Sequence, residues 1–252
     1  MKNVNVSKRR KNQKGFTLVE LAVVMIIVGL LIGGILKGQE LIANAQVASL
    51  VTQAKGIDAG ISTFRDSYRA FPGDMNTAQA RLPNCVAGNN CFNGGGTGII
   101  DNPVTGVGTA AAAGNGTQES GNFFTQMALA GNIGGVDPTG GAAYGGQFPD
   151  TPVGGGFSIG HTNAGAISAQ IQGGATVLGG HYLIMNSALG ALAASTGPIN
   201  ASQAARIDRK MDDGNADSGS VRSNGGTCLD AAGDYDEENA GAGCALVFRV
   251  QS

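Results

Sequence analysis

The sequence predicts an α+β protein: a long N-terminal helix, half transmembrane and half amphipathic, packed on a small, loop-rich antiparallel-sheet domain. Three observations carry this. Residues 16–36 (FTLVELAVVMIIVGLLIGGIL) are almost wholly apolar. Apolar residues then recur at helical spacing as far as Phe64, with no Pro between Phe16 and Phe71. Beyond Phe71 the composition turns to Gly, Asn, Thr and Ala, interrupted by short β-branched or aromatic runs bounded by Gly, the pattern of brief strands between turns.

The N-terminal element comes first. About twenty predominantly apolar residues are enough to span a bilayer as a helix, and residues 16–36 meet that length. Before them Lys2, Lys8, Arg9, Arg10, Lys11 and Lys14 crowd together with no acid among them, which is a membrane-orientation signal. After them Leu41, Ile42, Val47, Leu50, Val51, Ile57, Ile61 and Phe64 continue a helical period. One helix of roughly 80 Å is expected, at 1.5 Å per residue. Its Ile57–Phe64 end is expected to anchor the domain that follows. Glu20 is out of place inside the apolar run. A carboxylate there either snorkels to the headgroups or has a specific partner.

The segment Lys14-Gly15-Phe16-Thr17-Leu18-Val19-Glu20, a basic run ending in Gly, then Phe, then Glu four residues on and an apolar helix, resembles the processing site of type IV pilins and type II secretion pseudopilins. The resemblance covers roughly the first forty residues. It implies cleavage by a prepilin peptidase between Gly15 and Phe16, N-methylation of the new Phe16 amine, and pairing of Glu20 with that amine on an adjacent subunit. It further implies a leader over residues 1–15, a helix over 16–70 with 16–36 in the inner membrane, and a periplasmic or extracellular domain over 71–252. The partners implied are a homo- or hetero-oligomeric filament, the peptidase/methyltransferase and an inner-membrane assembly platform. The expected function is a structural subunit of a pilus or pseudopilus filament. The alternative is a minor or tip protein acting as a binding or adhesion module. Many pilins carry a Pro about twenty residues into the mature helix; here Lys37 lies near that place, among Gly29, Gly33, Gly34 and Gly38. Small residues let helices approach closely and also weaken a helix.

In the distal region Phe71-Pro72-Gly73-Asp74 is a turn signal. Helices are expected over Glu119–Ala130, where Phe123, Phe124, Met127 and Leu129 lie close to one face, over Ser187–Ala194 and over Ala201–Asp212. Strands are expected over Phe157–Ile159, Ala175–Leu178, His181–Met185 and Leu246–Val250. The run FPGDMNTAQA, then a Gly/Asn-rich loop ending in Ile99-Ile100, then ESGNFFTQMALAGNIGG is similar to a subset of pseudopilin-like sequences.

Cys85, Cys91, Cys228 and Cys244 all follow the apolar segment in Gly/Asn-rich loops. An even number there suggests disulfides formed outside the cytoplasm. Three pairings are open, with free buried thiols as the other reading; shorter loops close at lower entropic cost, which favours Cys85–Cys91 and Cys228–Cys244. Zinc is disfavoured because no CxxC pair occurs and both histidines are remote.

No cofactor is expected, with calcium as the one metal to weigh. Asp212, Asp213, Asn215 and Asp217 offer oxygens at close spacing around Gly214, the ligand type calcium takes; the same residues are also ordinary turn composition. Asp230, Asp234, Asp236, Glu237 and Glu238 form a second acidic loop, read as solvated. No GxSxG, HExxH or Walker loop is present, and His161 and His181 have no nucleophile context, so an enzyme is not expected. The net charge of −2 supplies no basic face for nucleic acid.

Overall fold

The computed structural model describes residues 16–100, 119–162, 171, 177–190 and 195–250. The chain divides into two compact units, Met1–Asn44 and Ala45–Ser252. The boundary falls inside the first helix, so the amphipathic half of that helix belongs to the globular unit.

Helix α1 runs over Leu18–Tyr68. It passes unbroken through Gly29, Gly33, Gly34 and Gly38, and a Cβ at any of these four would meet nothing within 4 Å. In the first unit its apolar side chains are exposed all round, from Leu18 at 87% to Val28 at 42%. In the second unit Val47, Leu50, Val51, Ala54, Ile57, Gly60, Ile61 and Phe64 are buried. This i, i+3, i+4, i+7 stripe is the core-facing side of an amphipathic helix. Each large member contributes roughly 1.5–3 kcal/mol of burial. The stripe begins earlier than the Ile57–Phe64 anchor expected from sequence, and Leu41 and Ile42, each 61% exposed, are outside it. Gln46 and Gln53 donate to the carbonyls of Pro152 at 3.2 Å and Asp150 at 2.7 Å. These bonds hold the helix's polar flank to a loop of the same unit.

Four strands form one antiparallel sheet: β1 Gly156–Thr162, β2 Gly180–Asn186, β3 Val221–Ser223 and β4 Leu246–Arg249, in the order β1-β2-β4-β3. β1 and β2 pair with Phe157 opposite Met185 and Ile159 opposite Leu183. β2 and β4 pair with Leu183 opposite Phe248. Alternation then sorts the side chains. Leu183, Met185, Leu246 and Phe248 share a core with α1, while Tyr182, Ile184, Ala245 and Val247 form a smaller cluster with Ile171 and Val177.

The remaining helices are α2 Ala78–Arg81, α3 Glu119–Leu129 and α4 Ala201–Met211. α4 starts with a reciprocal capping box: the Asn200 side chain accepts from Gln203 N–H while the Gln203 side chain accepts from Asn200 N–H. Cys85 is bonded to Cys91 and Cys228 to Cys244.

Several elements differ from the sequence expectation. β3 was not foreseen: three residues, Val-Arg-Ser, carry no period of their own. Residues 187–190 are irregular where a helix was expected, and 191–194 of that segment lie outside the described residues. Val177 and Leu178 are not in a strand, and 175–176 lie outside the described residues.

Candidate assembly site

The N-terminus of α1 is built by a local rule. Glu20 Oε2 accepts from Thr17 N–H at 2.9 Å and from Thr17 Oγ1 at 3.0 Å, and Glu20 N–H donates to Thr17 Oγ1 at 3.2 Å. This is a capping box over Thr17-Leu18-Val19-Glu20, in which two otherwise orphaned donors are satisfied reciprocally. The Thr-x-x-Glu spacing is legible in the sequence. A partner within the same chain was the reading of Glu20 that sequence analysis overlooked.

Around this cap the surface is apolar and uncovered. Phe16 is 89% exposed, Val19 72% and Leu21 55%. α1 is long and apolar enough to cross a membrane. Lys37 and Glu40 form an exposed ion pair at 2.7 Å, worth at most a few tenths of a kcal/mol. Gly15 and the basic run before it lie outside the described residues.

A family profile described as "Prokaryotic N-terminal methylation motif" matches residues 10–36. The chain is also 45% identical over 67 residues to a fimbrial protein of Moraxella nonliquefaciens, across 26% of this chain and 44% of that protein. The N-terminal segment thus carries a prokaryotic N-terminal methylation motif and is similar to part of a fimbrial protein. The chain spans less than half the length of that relative, and no solved structure matches. The methylation motif overlaps the capped, uncovered half of α1, and the described fold is α+β.

In the globular unit, α3 and the segment from Phe71 to Gly98 hold each other. α3 is buried from Glu119 to Met127, polar residues included. Glu119 Oε1 accepts from Gly95 N–H at 2.6 Å, Asn122 Oδ1 from Phe92 N–H at 3.2 Å, and Gln126 Oε1 from Gly73 N–H at 2.7 Å. Gln126 Nε2 also donates to the Phe92 carbonyl at 2.9 Å. Asp74 in turn accepts from Thr97 and Gly98 N–H at 2.9 and 2.7 Å. These side chains satisfy loop backbone that would otherwise be buried without partners. Gly73 has φ of 85°, and a Cβ there would sit 2.4 Å from the Glu119 carbonyl oxygen. Only Gly permits that approach.

Of the calcium candidates, Asp212 and Asp213 come together with Asp208, their ligand oxygens lying within 4.8 Å of one another. Asp217 is not in that group. The loop already engages these carboxylates. Asp212 accepts from Ser220 and Val221 N–H, and Asp213 from Asn215 N–H at 2.9 Å and Ser218 Oγ at 2.6 Å. Asp208 is buried and accepts from Tyr235 OH at 2.8 Å and Gly214 N–H at 3.2 Å. Burial raises its pKa to about 6, partly opposed by these hydrogen bonds.

His161 and His181 face each other across β1 and β2, ring centroids 5.1 Å apart. His181 stacks on Phe71 at 3.9 Å, and its Nε2 accepts from Ile100 N–H at 3.2 Å. Burial above all lowers its pKa, to about 4, so the ring is neutral at physiological pH. It is half-buried, held by the Phe71 ring and the Ile100 N–H.

Proposed function

We propose that this chain is a structural subunit of a type IV pilus or related pseudopilus filament. It is cut by a prepilin peptidase between Gly15 and Phe16, methylated on the Phe16 amine, held by residues 16–36 in the inner membrane with Ala45–Ser252 outside the cytoplasm, and passed by an assembly platform into the filament. The observation that carries this reading is the uncovered first half of α1. Its apolar side chains are exposed around the whole circumference, and the methylation motif falls on the same residues. Such a surface suits lipid before assembly and neighbouring helices afterwards, and moving between them exposes no apolar area to water.

Glu20 then has two successive partners. In the lone subunit it caps α1 through Thr17. In the filament the ammonium of a neighbour's Phe16 supplies the counter-charge that a carboxylate in an apolar surround requires. No cofactor is needed for this function. Calcium at Asp208, Asp212 and Asp213 is a separate proposal, tested by titrating calcium into the purified protein and following thermal stability.

The test is to shear filaments from cells producing the chain and determine the mass and N-terminus of the subunit. A subunit starting at methylated Phe16 within filaments is expected. A chain recovered only in the membrane, still carrying residues 1–15 in peptidase-competent cells, would overturn the proposal.

A further inference from the structure

The globular unit contains a polar hollow of about 730 Å³ that the fold does not consume. One wall is the end of α1, where Ser62, Arg65 and Asp66 share one helix face at i, i+3 and i+4, together with Arg69 just past the helix end in a left-handed backbone conformation, φ 55°. Opposite stand Phe71, Asp74 and His181. The carboxylate of Asp74 is buried and answered by two N–H donors. His181 is stacked on Phe71 and accepts from Ile100 N–H, so it brings no charge. The exposed charges are therefore two guanidiniums against the single carboxylate of Asp66. Among the described residues neither Arg65 nor Arg69 makes a side-chain hydrogen bond or ion pair.

An opposite group lies on different elements of the same unit. The loop closed by Cys228 and Cys244 carries five acids. Glu237 is paired with Arg209, and Asp230 accepts from Ala232 and Asp234 N–H. Asp234 and Glu238 are exposed or half-buried at the surface and, among the described residues, make no side-chain hydrogen bond or ion pair. The loop is fixed in place by its disulfide and by Tyr235 OH donating to Asp208 on α4. Unpaired anions and unpaired cations thus sit on two different parts of one unit.

We propose that the hollow at the end of α1 receives the acidic Cys228–Cys244 loop of a second copy of this chain, with Arg65 and Arg69 against Asp234 and Glu238. The inference rests on the filament reading above and adds a contact between globular units. Because the two surfaces differ, the contact is heterologous, and a heterologous contact that does not close into a ring propagates as a helix. Arginine suits this role, since its fork takes carboxylates in pairs.

Charge reversal in the full chain tests it. Arg65→Glu with Arg69→Glu makes one surface acidic, and Asp234→Lys with Glu238→Lys makes the other basic. Each pair alone places like charges together and lowers the yield of sheared filaments by about tenfold or more. A chain carrying all four substitutions has complementary surfaces again and recovers most of the yield. Recovery also excludes misfolding as the cause of the earlier losses. The proposal is overturned if either pair alone assembles like the unaltered chain, or if the fourfold variant does not recover. Absence of filaments from the unaltered chain would instead remove the filament reading itself.

Discussion

The two halves of α1 are one continuous helix with opposite fates. Between Leu18 and Leu36 every large apolar residue is exposed, while Leu50, Ile61 and Phe64 are 0% exposed. Hydrophobicity alone does not separate them, since both halves are rich in Val, Leu and Ile. The difference is angular. The first half is apolar around its whole circumference, so no one-sided neighbour within the chain could cover it. The second half confines its apolar residues to a stripe and places Gln46, Gln53, Lys55 and Asp58 elsewhere on its circumference. A stripe matches one partner surface, and the sheet and α3 provide it. A full circumference calls for a solvent of its own kind, which is lipid or a bundle of like helices.

Severing the halves is the strongest test of this contrast. A chain starting near Ala45 retains the whole buried stripe from Val47 onward and should be soluble, monomeric and folded under oxidising conditions. The chain from Phe16 should require detergent. Size-exclusion chromatography and circular dichroism check both, and an aggregated or unfolded Ala45–Ser252 would mean that the first half belongs to the core.

Next in size is Glu20→Val. It makes the segment more apolar, so membrane insertion persists. It also removes the Thr17 cap and the counter-charge for a neighbour's amine, so filaments should be lost. Membrane fractionation with sheared-filament yield gives the answer. Normal yield would reduce Glu20 to a helix cap.

Within the globular half, Gly73→Ala should destabilise by about 2–4 kcal/mol, because a Cβ at φ of 85° meets backbone rather than a movable side chain. Urea unfolding of Ala45–Ser252 measures it. A change below about 1 kcal/mol would show that α3 and the Phe71–Asp74 turn can part at little cost.

The smallest effect is electrostatic. The pKa of Asp208 is about 6 in the folded chain against about 3.9 when unfolded. The folded state therefore binds the proton more tightly between these values. Stability should fall as pH rises from about 4 to about 6 and then level off, by about 1–2 kcal/mol once solvent screening is allowed for. Asp208→Asn should flatten that slope in thermal melts taken across the interval. An unchanged slope would assign the titration to another group.

What could be read from the residues follows the range of the interactions involved. The membrane-length segment, the continuous helix to Tyr68, helices α3 and α4 and strands β1, β2 and β4 all depend on neighbours within about four residues or on a period of two. The Thr17–Glu20 cap was equally local and was hidden only because a carboxylate in an apolar run draws attention to distant partners. Pairing of Cys85 with Cys91 and of Cys228 with Cys244 followed the shorter loops.

Other features had no local signal. β3 exists because β4 offers it an edge. The polar residues of α3 are a buried set of acceptors because the Phe71–Asp74 turn and the loop at Gly95 present N–H groups to them. Asp208 is enclosed because Tyr235, 27 residues on, closes over it. Sequence by itself determined the long helix, α3, α4, strands β1, β2 and β4 and the membrane-compatible surface, because those are set by backbone geometry and side-chain periodicity. Tertiary structure alone decided where the buried stripe begins, which polar groups are enclosed and which charges remain unpaired. These depend on partners distant in the chain, and a buried polar group is stable only where such a partner happens to arrive.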